Sequence, residues 1–217
     1  MTKQSTTRRL VTSLALLTIP AWLGPFAWWL AYQQSVVLSY LGLLLLSVEL
    51  AFVLLALFAV GVIVAGPVLL LFRTYRPGAV LAVGQAILFL VSFAGGLFLG
   101  RVVWRDCVKE VVERAEPLVT AIHEYTDAHG NPPGSLDELV PQHIAAIPST
   151  SVGAFPNFRY VVDEPERYDG NPWVLLVIPP CHPMGFDLLM YFPLRNYPDV
   201  GYGGSLERIG AWAYVHE

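Results

Sequence analysis

Cys107 and Cys181 are the only cysteines in the chain. An even pair in an oxidising compartment reads as a disulfide. Such a bridge would tie the base of a helix to the end of a strand and contribute roughly 3–5 kcal/mol if unstrained. His182 beside Cys181 suggests a metal or a Cys–His pair, but a metal site needs three or four convergent ligands, and Pro180-Cys181-His182-Pro183 supplies two. His123 and His129 fall on different sides of a helix and His143 stands alone, so these read as surface histidines. The run from Asp163 to Asn171 gathers oxygen donors of the kind calcium takes. Asp163, Glu164, Glu166 and Asp169 are the candidate ligands, but the spacing fits no EF-hand and favours a solvated acidic turn. No Gly-x-Ser-x-Gly elbow or Gly-rich phosphate loop occurs, so no catalytic residue and no cofactor is assigned. Tyr191, Arg195, Tyr197, Tyr202 and Arg208 combine the aromatic and Arg side chains that protein-binding patches use; strand pairing is the plainer role for most of the tyrosines.

These residues nearly all lie in one half of the chain. Of 217 residues, 55% are hydrophobic and 14% charged, far below the quarter that soluble domains carry. Residues 1–104 hold six Lys/Arg and one acid, whereas residues 105–217 hold seven Lys/Arg and sixteen acids. The pattern excludes a single globular core, a disordered chain and a basic nucleic-acid binder.

From Leu10 to Phe72 the only charge is Glu49. A bilayer crossing needs about 20 apolar residues, which predicts spans over about 10–32, 50–72 and 79–104. Residues 31–35 form a polar exit from the first span. The segment from Val36 to Phe72 has no turn chemistry near its middle, which favours one crossing over two. Glu49 then falls at an interface, with Val36–Ser47 as an extra apolar helix beyond it. Inside lipid, Glu49 would instead be a functional residue. Lys3, Arg8 and Arg9 place the N-terminus in the cytoplasm. Charge counting hardly separates three crossings from four. The aromatic set Trp28, Trp29, Tyr32 and Trp104 shares one interface only with three. The expectation is a multi-pass protein of the cytoplasmic (inner) membrane, with residues 1–104 as transmembrane domain and residues 105–217 outside.

After Trp104 the pattern becomes amphipathic. Val108, Val111, Val112, Ala115, Leu118, Val119, Ile122 and Tyr125 recur at helical spacing, with a bend expected at Pro117 and a stop at Gly130. Ser135-Leu136-Asp137-Glu138 is a capping box opening a short helix. Strands are predicted over about 158–162, 173–178, 186–192 and 209–215, with Asp169-Gly170 as a hairpin signal and Gly201–Gly204 as a loop. A long helix packed on a small antiparallel sheet is an α+β arrangement.

Ala121-Ile122, Tyr125, Gly130, Pro133, Ser135-Leu136, Glu138-Leu139-Val140-Pro141 and Ile147-Pro148 resemble the helix-to-loop region of type IV pilin-like proteins and type II secretion pseudopilins. The whole chain also resembles uncharacterised bacterial membrane proteins. The resemblance covers roughly residues 118–178 and implies a pilin-like head. It does not extend to filament assembly, since the equivalent helix here is the third span and lacks a Glu near its start. Some pseudopilins hold calcium in a loop, which keeps the acidic turn in view. The expected role is non-enzymatic, structural or partner-binding, with the bilayer and another membrane or envelope protein as partners. The competing class is a membrane-associated enzyme or transport accessory using Glu49 or the acidic loop.

Overall fold

The computed structural model describes residues 12–180 and 187–216, with the side chains of Glu49 and Leu50 excepted. The chain folds into two compact units. The first takes in the described part of Met1–Leu30 together with Leu41–Trp104, and the second takes in Ala31–Tyr40 and Arg105–Glu217.

The first unit is helical. Residues 12–17 (α1) precede α2 (Ile19–Ala31), with a turn at Thr18 between them. Pro20 lacks the N–H that a continuous helix would direct at Leu16 O, and in the turn the Thr18 hydroxyl donates to the Ala15 carbonyl at 2.8 Å. Among the described residues, two helices are long and apolar enough to cross a membrane: α3 (Val36–Leu70) and α4 (Arg76–His129). The sequence predicts three spans. At 13 residues, α2 reaches only about 20 Å, short of the ~30 Å apolar layer. The predicted division between an interfacial helix ending at Ser47 and a span starting near residue 50 is also absent, because α3 runs unbroken through Glu49. With no Gly, Pro or Asn from Leu44 to Ala59, nothing there offers the backbone an alternative.

Small residues set the helix approaches. A methyl on Gly96 of α4 would overlap the Pro20 carbonyl of α2, and Gly100 faces Trp28 and Gly24. This Gly-x-x-x-Gly face lets the two backbones come close. Between α3 and α4, Ala59, Ala86 and Phe89 are buried and Phe52, Ile63 and Phe93 pack around them. The outward faces stay apolar and exposed, with Leu54, Phe58 and Val64 on α3 and Val91 and Phe98 on α4.

The second unit is built on the rest of α4. Val108, Val111, Ala115, Leu118, Val119 and Ile122 are all buried, so the apolar face read from the sequence is the packed face. The helix passes Pro117 uninterrupted, since the buried neighbours Ala115 and Leu118 outweigh one lost hydrogen bond. It stops before Gly130, whose φ of 79° suits a residue without Cβ.

A 3-10 turn (Leu136–Leu139) follows. Glu138 Oε1 accepts the Ser135 N–H at 3.1 Å and Glu138 Oε2 accepts the Tyr125 hydroxyl at 2.9 Å, fastening the turn to α4. Six strands make one antiparallel sheet in the order β1-β2-β3-β6-β5-β4: β1 Arg159–Val162, β2 Trp173–Val177, β3 Leu188–Tyr191, β4 Val200–Gly201, β5 Gly204–Ile209 and β6 Trp212–His216. The predicted final strand over 209–215 holds most of β6, but its first residues are the end of β5 and a turn, so the strand is the second arm of a hairpin. Gly210, at φ 63°, takes the first place of a two-residue turn between β5 and β6.

Both faces of the central strands β2, β3 and β6 are buried, which explains the uninterrupted apolar run of β2. One face carries Tyr160, Trp173, Tyr191 and Trp212 as a row of rings 5.3–6.1 Å apart. His123 of α4 meets that row, with its ring 5.3 Å from Trp173 and its Nε2 3.1 Å from the Tyr191 hydroxyl. The other face buries Val174, Leu176, Met190, Phe192, Ala213 and Val215. The sheet curls until Tyr202, in the β4–β5 turn, stacks 6.0 Å from Tyr168 in the β1–β2 connection.

Candidate functional site

The loops that meet where the sheet curls hold most of the sequence-predicted surface residues. Arg208 lies with its guanidinium carbon 4.1 Å above the Tyr197 ring, and its Nη2 donates to the Arg195 carbonyl at 3.2 Å. Tyr197 in turn stacks on Phe192 at 4.7 Å. The Tyr202 hydroxyl donates to the Asp169 carboxylate. A polar bracket joins the loops beneath. The buried Asn171 donates to Tyr168 O and Asn196 Oδ1, both at 2.7 Å, and accepts the Leu194 N–H at 3.0 Å. Asn196 donates to the Asp169 carbonyl at 2.6 Å.

Three residues of this bracket and its rim, Asp169, Arg195 and Tyr202, have left-handed φ of 51°, 53° and 57°. For non-glycine residues such conformations persist only where their surroundings hold them. Here Asn196 holds the Asp169 carbonyl, the Asp169 carboxylate holds the Tyr202 hydroxyl, and Arg208 holds the Arg195 carbonyl.

Arg195 and Arg208 are exposed and Tyr202 is partly exposed. Tyr197 is 9% exposed and acts from below, its hydroxyl accepting the Phe192 N–H and donating to the Ala211 carbonyl, both at 2.7 Å. Burial pushes that hydroxyl up to about 12. Burial, followed by the Asp169 hydrogen bond, raises Tyr202 as well. Tyr191 is not exposed at this surface, although the Arg195 side chain reaches its hydroxyl. It is 3% exposed and sits in the opposite aromatic row against α4, because residues one apart on a strand face opposite ways and Phe192 takes the curled side.

The acidic turn does not converge as a metal site. Glu164 pairs with Arg167 at 3.3 Å, Asp169 is taken by Tyr202, and Asp163 and Glu166 are exposed. Among the described residues no group of three or more His, Cys, Asp or Glu is placed to hold a metal ion. His129 and His143, unrelated by their spacing in sequence, lie with rings 6.2 Å apart around Tyr125.

The predicted disulfide is overturned, because Cys107 is a free thiol. Cys181 and His182 lie outside the described residues. Parity and compartment say that two thiols could pair, but not that their backbones approach within about 7 Å. In the fold, Cys107 lines a cavity of about 250 Å³ between α4, residues 32–35 and the loop Thr150–Val152. Burial, then Glu110 and Asp106, push its thiol up to about 11, the opposite of what a reactive cysteine needs. Glu110 is paired with Arg114 at 2.7 Å at the same cavity. The wall from residues 32–35 is fixed by the Gly153 N–H, which donates to Gln33 O at 2.8 Å. In the sequence that stretch shows only as a polar exit from a span.

No protein-family model, curated protein or solved structure matches the chain.

Proposed function

We propose that the chain is a multi-pass protein of the cytoplasmic membrane that presents a pilin-like α+β head outside the cytoplasm, for a structural or protein-binding role without catalysis. The carrying observation is the contrast between the two units. In the first, α3 and α4 turn Leu54, Phe58, Val64, Val91 and Phe98 outward, where water would be a poor neighbour for so much apolar surface. The second buries its own core on both faces of a sheet.

Three crossings, N-terminus inside, remain our reading, with α1 and α2 together completing the first. Lys3, Arg8 and Arg9 support the orientation. The resemblance of residues 118–178 to pilin-like heads gains support from the helix, the stop at Gly130 and the antiparallel sheet that follows. The surface offered to a partner is the exposed rim of Arg195, Tyr202 and Arg208, whose strained, braced loops suit a rigid recognition patch. The test is a reporter enzyme that works only in the cytosol, fused after Glu217. It is expected to be silent while an N-terminal fusion is active. Activity at both ends refutes the orientation, and extraction of the protein by alkaline carbonate refutes the membrane reading itself.

A further inference from the structure

Residues 71–75 turn the chain from α3 into α4. Arg73 in the turn and Arg76, the first residue of α4, are both exposed. Arg76 is already positioned. Its Nε–H donates at 2.8 Å to the carbonyl of Leu70, the last residue of α3, which holds the guanidinium at the seam of the two helices with its Nη donors turned to other acceptors. Among the described residues neither arginine is in an ion pair. No acid lies within reach to neutralise them, because Glu49 is the only one before Asp106. At ~1.5 Å per residue, Glu49 is about 30 Å from the end of α3, and Asp106 is about 45 Å from Arg76 along α4. The turn therefore carries a net positive charge.

Its depth follows from α4. No charged residue occurs between Arg76 and Arg101, which stand about 37 Å apart along the axis. The hydrocarbon layer is ~30 Å thick, or ~40–45 Å with both headgroup layers, so each arginine falls at headgroup depth at its own end of the helix. The order along both helices suits a lipid. Val68 and Leu69 precede Arg73 on α3, and Val80 and Leu81 follow Arg76 on α4; all four are exposed and lie on the hydrocarbon side of the arginines. Phe72 and Tyr75, exposed and edge to face at 6.4 Å, are the aromatic type that gathers at this interface.

We infer that this turn binds the headgroup phosphate of an anionic phospholipid, with the Arg73 and Arg76 guanidinium groups on the phosphate and the four apolar side chains along the acyl chains. The inference rests on the membrane reading above, in which the turn shares the cytoplasmic side with Lys3, Arg8 and Arg9. A zwitterionic headgroup fits less well, since no carboxylate is near to hold its ammonium. Each basic residue at a membrane surface favours anionic lipid by about fivefold, so the pair sets a preference of up to roughly twenty-fivefold.

The test is native mass spectrometry of the full chain released from nanodiscs of phosphatidylglycerol and phosphatidylcholine in equal parts. Wild type is expected to retain phosphatidylglycerol preferentially. Arg73→Gln should lower that preference about fivefold, and Arg73→Gln/Arg76→Gln roughly tenfold or more. Arg73→Lys/Arg76→Lys should keep most of it, and Arg159→Gln, on β1, should leave it unchanged. Equal retention of both lipids by wild type, or an unaltered preference in the double Gln variant, overturns the proposal. So does loss of the lipid to excess inorganic phosphate but not to sodium chloride of the same ionic strength, which would make the free anion the ligand. An unchanged far-ultraviolet dichroism spectrum and a C-terminal reporter that stays silent show that the double variant is folded and inserted as wild type is; if it is not, Arg73→Gln alone decides. Failure of the membrane reading shows separately, as carbonate extraction of wild type.

Discussion

Cys107 gives the sharpest quantitative handle. Its thiol is pushed up from 9.0 to about 11 by burial against residues 32–35 and Thr150–Val152, with Glu110 and Asp106 adding to the shift. Alkylation proceeds through the thiolate. At pH 8 a thiol with pKa 9 is about 10% ionised and one near 11 about 0.1%, so the native protein should react roughly a hundredfold more slowly than the unfolded chain. The sign for stability follows. The folded pKa lies above the unfolded one, so the contribution of this site is fully present below pH 9 and is lost between pH 9 and 11. The assay is iodoacetamide labelling of a Cys181→Ser chain at pH 8, native and in denaturant, read by mass. Glu110→Gln should speed native labelling only modestly, because burial is the leading cause. Native labelling as fast as denatured labelling would refute the shielding of Cys107. In the unsubstituted chain, failure to take up label in denaturant until reductant is added would refute the free thiol.

Three further substitutions, one of them with a neighbouring control, test the packing. Gly96→Ala should lower the midpoint of unfolding in sodium dodecyl sulfate, since its methyl meets the Pro20 carbonyl, and about 1–3 kcal/mol is usual for such overpacking; Gly95→Ala, with nothing within 4 Å, should be neutral or slightly stabilising. Asn171→Ala removes three hydrogen bonds at a 1% exposed site and should cost about 2–3 kcal/mol in thermal unfolding of the head; an unchanged melting temperature would show that the loops are held otherwise. Gly153→Ala places a methyl 2.6 Å from Gln34 O, Ser35 C and Val36 N, all backbone, and should destabilise the head by a further 1–3 kcal/mol in the same assay.

Much of the second unit can be read from local signals. The buried face of α4 is legible because apolar spacing and packing share one period. Gly130 marks the helix end because few other residues take φ near 79°. The last hairpin is hidden in the sequence because Ile209 to Val215 is apolar throughout apart from Gly210, and a single glycine does not separate a turn from a strand interior. Composition suggests a surface place for Tyr191 because it carries no strand parity; the register Tyr191↔Trp212 is what assigns it to the α4 side. The disulfide fails for a related reason, since counting cysteines gives parity without distance. In the first unit, hydropathy identifies apolar stretches but not the local break at Thr18, which follows from where Pro20 falls in the helix.

The stretch Ala31–Tyr40 carries the least expected consequence. It takes in the last residue of α2, the link 32–35 and the first turn of α3, yet it belongs to the second compact unit. The Gly153 N–H reaches Gln33 O at 2.8 Å, and Gly153 approaches the 34–36 backbone so closely that no side chain fits. Residues 105–217 alone should therefore lack one wall of their own fold. Such a fragment loses at least that hydrogen bond, about 1 kcal/mol, which for a head of this size lowers the melting temperature by roughly 4–8 °C. The decisive comparison is non-additive. Gly153→Ala should be costly in the full chain, where its methyl strikes the 34–36 backbone, and close to neutral in the fragment, where that backbone is gone. Equal cost in both would mean that the glycine serves the loop Thr150–Val152 alone, and that the head is complete without the segment between α2 and α3.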